Sequence, residues 1–154
     1  MMKVNDKNVC EISFLAVSEN EAFARMVAAA FVMPGNPTLE EVSDIKTAIS
    51  EAVTNAILHG YNQDAVGMVH MRCERLEEKF TFIVFDEGVG IENVEKAMEP
   101  LYTSKPELER SGMGFSFMEA FMDTLSVESE PGKGTRVTMT KQLGVDVAAS
   151  SSNE

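Results

Sequence analysis

The segment ISEAVTNAILHGY, residues 49–61, has the pattern of the C-terminal part of an amphipathic helix. Glu51, Asn55 and His59 follow one another at intervals of four, so each lies about 40° around the helix from the last. They therefore flank the apolar face, which consists of Ile49, Ala52, Val53 and Ala56. A half-buried carboxylate can act as a general base, and an amide oxygen suits a hard cation such as Mg²⁺. Alone, however, a Glu–Asn pair is more typical of a solvated helix flank.

The rest of the chain has alternating strand and helix patterns, which predict an α+β fold. Two helix starts have the capping-box pattern, Ser18 with Glu21 and Thr38 with Glu41. We predict helices from there to about 33 and 60, then at 92–98 and 114–125, and strands at 8–17, 66–76, 79–86, 126–130 and 135–142. This order favours a two-layer sandwich with helices on one face of a mixed, mainly antiparallel sheet. We expect residues 1–145 to form a single domain and residues 146–154 a flexible polar tail.

Charge and composition restrict the partners and the compartment. The 154 residues include 25 acids and 13 bases, a net charge of −12, which disfavours direct contact with nucleic acid and with anionic membranes. The sequence has no apolar run typical of a signal peptide or a membrane span. Cys10 and Cys73 lack metal-type spacing, and nothing marks them as a disulfide framework. We therefore expect a cytoplasmic protein that binds neither nucleic acid nor membrane.

Apolar residues on both faces of the strand at 79–86 raise the question of what covers the second face. Phe80, Phe82 and Val84 alternate with Ile83 and Phe85. Burial under loops is the simpler explanation, but we favour a homodimer formed through the face without helices.

A second motif follows that strand, where FDEGVGI places Asp86 before two alternate glycines, Gly88 and Gly90. A carboxylate at the end of a buried strand can accept hydrogen bonds from a purine base, and glycines allow a flat ligand to lie close to the backbone. A strand-ending Asp turn is the common alternative. In a further motif, GKGT, Thr135 follows a turn and can add a hydroxyl to the same pocket.

A third motif, SGMG, leads into a helix through Gly112 and Gly114. Free N–H groups converge at a helix start and favour an anion. Lys105 and Arg110 precede the motif and can supply local positive charge in this acidic chain. The segment is not a Walker loop, because Phe115 stands where that motif requires Lys and then Ser or Thr. A flexible surface loop before an ordinary helix is the alternative.

Taken in order, the motifs resemble the four ATP-binding boxes shared by gyrase, Hsp90, histidine kinases and MutL: Glu51-x-x-x-Asn55, Asp86-x-Gly88-x-Gly90, Gly112-x-Gly114 and Gly134-Thr135. The resemblance covers about residues 8–142 and implies a Bergerat (GHKL) fold that binds ATP and Mg²⁺ under a lid at 100–113. The stretch LYTSKPELERSGMGFSFMEAFMD, residues 101–123, resembles the small anti-sigma serine kinases, above all those of spore-forming bacteria that act on sigma F.

The resemblance also implies a role for each motif residue. Glu51 is implied to accept the proton of a substrate serine and Asn55 to ligate Mg²⁺, while Asp86 hydrogen-bonds the adenine amino group. The others are implied to contact ATP: Thr135, Gly88 and Gly90 around the base, and Gly112, Gly114, Arg110 and Lys105 at the phosphates.

The implied partners are a sigma factor, sigma F, and an anti-anti-sigma factor that is phosphorylated on serine. The first helix, with Glu21 and Arg25 four residues apart, is implied to contribute to the partner surface, although such a pair is often a plain surface ion pair. Two alternatives remain open. One is an anti-sigma B-type stress-response kinase, and the other is a nucleotide-gated binding module without phosphotransfer.

Overall fold

The computed structural model describes residues 7–60, 67–91, 93–98 and 114–144. Within these ranges the elements are strands Lys7–Leu15 (β1), Met68–Leu76 (β2), Lys79–Asp86 (β3), Thr124–Glu130 (β4) and Gly134–Gln142 (β5), and helices Asn20–Val32 (α1), Leu39–Asn55 (α2), Val94–Ala97 (α3) and Gly114–Phe121 (α4). The strands form one sheet in the order β1-β2-β3-β5-β4. The α+β prediction is confirmed, and all four pairings among the described strands are antiparallel.

The central helix α2 packs against α1 and α4 and covers one face of the sheet. Its start has the predicted capping box, in which the Thr38 hydroxyl accepts the N–H of Glu41 at 3.0 Å and the Glu41 carboxylate accepts the N–H of Thr38 at 2.8 Å. The predicted apolar stripe is buried, with Ile49 and Val53 fully so. After Asn55 the helix continues as a wider π-helical turn, Ala56–Gly60. Such turns are frequent at functional sites.

The capping box predicted at the start of α1 is wrong. The residue before the helix is Glu19, which already has helical backbone angles, and no side chain caps the helix. Instead, the entry uses backbone bonds, including one of 3.1 Å from the Glu21 N–H to the Ser18 carbonyl. Side-chain capping needs an extended residue at the helix boundary, and the tight turn after β1 does not provide one. The Glu21 carboxylate instead accepts a hydrogen bond from the Ser50 hydroxyl on α2.

The two faces of the sheet differ as the alternation in β3 predicted. Phe80, Phe82 and Val84 are buried beneath the helices, whereas Ile83 and Phe85 are half-buried on the other face. Polar groups partly cover Phe85: the His70 ring stacks at 4.9 Å between centroids, and the Arg136 guanidinium lies 4.5 Å from the ring centroid. This second face, called the open face below, carries no helix among the described elements.

A buried lysine anchors the C-terminal end of α4. The Lys141 ammonium on β5 donates to the Phe121 carbonyl at 2.7 Å and lies 3.3 Å from the Asp44 carboxylate on α2. A cation at a helix C-terminus also interacts favourably with the helix dipole. This contact ties α4 to the sheet and to α2, and so fixes the direction in which the start of α4 points. Separately, no helix within the described ranges combines the length and the apolar composition needed to span a membrane.

Candidate functional site

The floor of the candidate site is the place where the first residue of α4 meets the flank of α2. Glu51 and Asn55 are half-buried there, as predicted, and Gly114 is buried against them. A Cβ atom on Gly114 would lie 3.1 Å from Asn55 Nδ2, 3.3 Å from Asn55 Oδ1 and 3.4 Å from Glu51 Oε1. Only glycine therefore leaves both side chains undisturbed. The first N–H groups of an α-helix have no acceptor within the helix. At the start of α4 these hydrogen-bond donors lie beside the Glu51 carboxylate and the Asn55 amide.

The second part of the site is the end of β3, where Asp86 is buried on the helix-bearing face of the sheet. Its Oδ1 accepts the N–H of Gly88 at 2.8 Å. Burial raises the pKa of the Asp86 carboxyl, and hydrogen bonds from the backbone N–H groups of Gly88 and Thr135 oppose that shift. A carboxylate held in this way is a fixed acceptor in an apolar setting, which suits recognition of a donor group on a ligand.

Two glycines allow the loop after β3 to pack closely against the turn between β4 and β5. Gly90 has φ +78°, and a Cβ on it would lie 2.3 Å from the Glu130 carbonyl oxygen. Gly134 has φ +109°, and a Cβ on it would lie 2.0 Å from the Asp86 carbonyl oxygen. Both positions therefore require glycine on two grounds, backbone angle and space. Glycine is needed at position 90 because the backbone of the turn between β4 and β5 packs against it.

Strand register places a row of polar side chains beside Asp86. Asp86 pairs with Thr135 across β3 and β5, and Thr135 pairs with Ser129 across β5 and β4. The Ser129 and Thr135 hydroxyl oxygens are 2.8 Å apart. Sequence reasoning missed Ser129. The signal was available in the alternation of β4 and in the turn PGKG, which together set Ser129 opposite Thr135.

The structure thus brings the predicted residues into two groups on the helix-bearing side of the sheet. One consists of Glu51, Asn55 and Gly114 on the helices, and the other of Asp86, Gly88, Gly90 and Thr135 at the ends of the central strands. The predictions for Lys105, Arg110 and Gly112, and for the lid at 100–113, lie outside the described residues.

The predicted partner residues of α1 lie beside a groove between α1 and α2. Arg25 Nε is 3.6 Å from the Glu21 carboxylate and makes no hydrogen bond. The groove has a volume of about 360 Å³ and is lined by Arg25, Leu39, Val42, Ser43, Lys46, Thr47 and Ser50. Two cations and an exposed Leu39 give it a mixed basic and apolar character.

Comparison with known proteins places this fold in a class. The sequence profile of the histidine kinase-like ATPase domain matches residues 14–141. A crystal structure of the RsbU and RsbW domains of a Mycobacterium tuberculosis protein superimposes with a TM-score of 0.62 at 20% identity, over 88% of this chain and 32% of that one. A blue-light activated histidine kinase of Erythrobacter litoralis gives a TM-score of 0.56 at 21% identity, over 73% of this chain and 34% of that one. These likenesses show the fold.

Closer relatives narrow the class. The Clostridium acetobutylicum anti-sigma F factor is 57% identical over 140 residues, which cover 90% of this chain and 96% of that protein. The anti-sigma F factors of Clostridium beijerinckii and Caldanaerobacter subterraneus are 54% and 56% identical, over 90% and 89% of this chain and 96% and 95% of those proteins. The chain therefore belongs to the anti-sigma F factor family of histidine kinase-like ATPase domains.

Proposed function

We propose that the protein is an anti-sigma factor and serine-protein kinase. It binds and inhibits a sigma factor, sigma F, and phosphorylates an anti-anti-sigma factor on serine with Mg-ATP. The observation that carries the proposal is the approach of Gly114 to Glu51 and Asn55, so close that a Cβ atom added to Gly114 would lie 3.1–3.4 Å from their polar atoms. It sets a base, a metal-compatible amide and a helix start side by side, which are the parts that phosphoryl transfer needs.

The described residues fit ATP at both groups. Buried Asp86 offers an acceptor for the amino group of adenine, and Thr135 lies next to it in the strand register. The start of α4 suits a phosphate, because its free N–H groups point out of the helix. The described residues contain no cluster of three or more His, Cys, Asp or Glu side chains suited to a metal ion. In our proposal Asn55 is the side chain that would hold the Mg²⁺ of Mg-ATP.

The chemistry proposed for each side chain is the one that the family resemblance implies, and its position is compatible with it. Mg-ATP supplies the phosphoryl group and neutralises its charge. The Glu51 carboxylate accepts the proton of the serine hydroxyl, and the Asn55 amide oxygen holds the cation. Gly114 leaves room for both side chains, because a Cβ atom in its place would lie within 3.4 Å of each. By the family resemblance, Gly112, Arg110 and Lys105 complete the phosphate contacts, and Gly88 and Gly90 shape the base pocket.

The partner surface we propose is the groove between α1 and α2 together with Glu21 and Arg25. Its two cations, Arg25 and Lys46, suit acidic side chains of a protein partner, and Leu39 suits an apolar one. We also propose that two copies associate through the open face, where Ile83 and Phe85 are half-buried. The proposed location is the cytoplasm, where a sigma factor acts.

A phosphorylation assay tests the proposed reaction. The protein is mixed with labelled ATP and a candidate anti-anti-sigma factor, and the label is sought on serine. We expect Glu51→Gln to bind ATP normally and to transfer no label, because the amide cannot take the proton. Glu40→Gln, an exposed acid in the first turn of α2, is the matched control and should behave as wild type. If the label appears only as free phosphate, the protein is an ATPase and not a kinase. If Glu51→Gln transfers as much label as wild type, Glu51 is not the base.

A binding assay tests the partner surface separately. We expect Arg25→Ala to weaken binding of sigma F while leaving ATP affinity unchanged, and Lys79→Ala, an exposed cation at the start of β3, to change neither. Unchanged binding of sigma F by Arg25→Ala would exclude this surface.

Light scattering on wild type and on Ile83→Asp tests the dimer. A charge at the centre of the open face should prevent association, so we expect Ile83→Asp to be a monomer.

A further inference from the structure

We propose that Cys10 and Cys73 form a modification site, at which a low-molecular-weight disulfide converts the two thiols into a reversible disulfide between β1 and β2. The inference does not depend on the proposed function, because neither cysteine belongs to the ATP motifs or to the groove between α1 and α2. The two cysteines are far apart in the chain, and the strand register of the folded protein brings them together.

Strand register places the two cysteines side by side. Cys10 pairs directly with Cys73 across the antiparallel strands β1 and β2. Directly paired residues of an antiparallel ladder have Cα atoms about 4.5 or about 5.5 Å apart, and a disulfide spans Cα distances of about 4.4–6.8 Å. Either kind of pair is therefore close enough for a disulfide without movement of the backbone.

Both thiols lie on the same face of the sheet, the one that carries the helices. Successive side chains alternate between the two faces, and Cys73 is in phase with the buried residues Val69 and Met71 of β2. Side chains directly opposite each other on neighbouring strands share a face, and Cys10 packs against the hydrophobic core to which Cys73 belongs. The disulfide would therefore form away from the open face through which we propose that the protein dimerises.

The unequal burial of the two thiols decides which of them reacts first. Cys10 is half-buried on the edge strand β1, whereas Cys73 has an exposed fraction of only 1%. Burial, and to a lesser extent the charge of the neighbouring Cys10 sulfur, raises the pKa of the Cys73 thiol to about 12. An external disulfide therefore reacts with Cys10, and Cys73 is the thiol that closes the internal disulfide.

The reaction consists of two thiol–disulfide exchanges in which atoms and electrons balance. The Cys10 thiolate attacks one sulfur of glutathione disulfide, the bond between the two glutathione sulfurs breaks, and one glutathione leaves. The Cys73 thiol then loses its proton to solvent, and its thiolate attacks the Cys10 sulfur and releases the second glutathione. Two protein thiols are oxidised to one disulfide, and one glutathione disulfide is reduced to two molecules of glutathione.

The disulfide would fasten the edge strand to the strand beside it. Among the described strands β1 pairs with β2 alone, and the cross-link closes a long loop that contains α1 and α2. Such a link restricts the unfolded chain, so oxidation should raise the unfolding temperature by about 5–10 °C, the effect typical of one disulfide in a protein of this size. In a reducing cytoplasm the pair would stay as thiols until an oxidised low-molecular-weight thiol accumulates.

The experiment incubates the full chain with glutathione disulfide, blocks the remaining thiols with N-ethylmaleimide and follows the products by intact and peptide mass spectrometry. We expect a mixed disulfide on Cys10 that converts to the disulfide within the chain. The rate of this conversion should rise about tenfold per pH unit between about pH 7 and pH 10, because the Cys73 thiol stays mostly protonated over that range. A rate that levels off near pH 9, the behaviour of an ordinary thiol, would overturn the assignment of Cys73 as the closing group.

Two variants test whether the register of the strands is responsible. Cys10→Ser lacks the half-buried thiol and should form neither the mixed disulfide nor the internal one. Adding Val9→Cys to that variant restores the number of thiols but places the new one on the opposite face of β1, because Val9 is exposed and neighbouring side chains alternate. This double variant should accumulate the mixed disulfide without closing it, and closure at the wild-type rate would overturn the inference.

The decisive outcomes are measured on wild type, so they hold even where a variant fails to fold. An internal disulfide that raises the unfolding temperature, with both changes reversed by dithiothreitol, supports the inference. Wild type that stops at the mixed disulfide, or that forms disulfides only between chains, overturns it. None of these measurements requires nucleotide or a partner, so their failure would leave the proposed kinase intact, and an absence of serine phosphorylation would leave the disulfide intact.

Discussion

Replacing Gly114 with alanine is expected to stabilise α4 while disturbing the site beneath it. The added Cβ would meet Asn55 Nδ2 at 3.1 Å and Oδ1 at 3.3 Å, and Glu51 Oε1 at 3.4 Å. Contacts between 3.0 and 3.4 Å are tighter than ordinary packing, so the Asn55 side chain must move by a few tenths of an ångström. The substitution therefore changes the position of Asn55 relative to the start of α4 without removing any polar group.

The effect on stability should be small and favourable. Gly114 is a helical residue outside the left-handed region, so alanine adopts its backbone angles without strain. Alanine is favoured over glycine by about 0.5–1 kcal/mol in a helix interior, which is an upper limit for Gly114 at the first position of α4. In a protein of this size that limit corresponds to a rise of about 1–4 °C in the unfolding temperature. Some of this gain is offset by the displacement of Asn55.

The effect on phosphotransfer should be unfavourable. A misplacement of about 1 Å in a reacting site lowers the rate by about 100-fold, so on the same scale a shift of about 0.3 Å should lower it by about fourfold. The assay measures the initial rate of serine phosphorylation of an anti-anti-sigma factor together with the unfolding temperature. We expect the two quantities to move in opposite directions.

The control is the same chemical change at Gly144, where a Cβ would meet no heavy atom within 4 Å but φ is +80°. Gly144→Ala should lower the unfolding temperature, because alanine is strained there by about 1 kcal/mol, and should leave the rate unchanged. Gly114→Ala with the wild-type rate would refute the role of the Gly114 contact. Parallel losses of rate and stability would show that alanine disrupts the helix start itself.

Three further outcomes are expected. Lys141→Met should lower the free energy of unfolding by about 2 kcal/mol in denaturant titration, because the Phe121 carbonyl loses a charged donor; an unchanged midpoint would contradict this. Burial raises the pKa of the Cys73 thiol to about 12, so iodoacetamide should label half-buried Cys10 first, as read by peptide mass spectrometry, and equal labelling would argue against that burial. Burial also raises the pKa of Asp86 from 3.8, so its contribution to stability is fully present below that value and is lost as the pH rises through the folded pKa. Wild type should therefore lose stability relative to Asp86→Asn between acid and neutral pH, and parallel pH profiles would exclude the shift.

The parts of the fold that depend on neighbouring residues in the chain were predictable from the sequence. Glu51 and Asn55 share a helix flank because of helical geometry alone, and the structure places both at the margin of the core. The capping box of Thr38 and Glu41 is likewise local and is confirmed. The order of strands and helices was sufficient to predict the α+β sandwich.

The parts that depend on distant residues were not predictable in the same way. The turn after β1 decides how α1 begins, and it overrides the favourable spacing of Ser18 and Glu21. The contacts of Ser129 depend on its register with Thr135 and on the return of the loop at Ile91. Lys141 is buried although lysine is rarely so, because two acceptors from distant elements converge on it.

The close contacts of Gly90 with the Glu130 carbonyl and of Gly134 with the Asp86 carbonyl have a consequence for synthesis. The loop after β3 is translated early, but its packing partner leaves the ribosome only about forty residues later. The pocket beside Asp86 therefore cannot take its final shape on a nascent chain that stops before β4 and β5. The kinase that we propose becomes competent to bind nucleotide only after β5 has been made, so products that stop before β5 cannot compete with finished molecules for ATP.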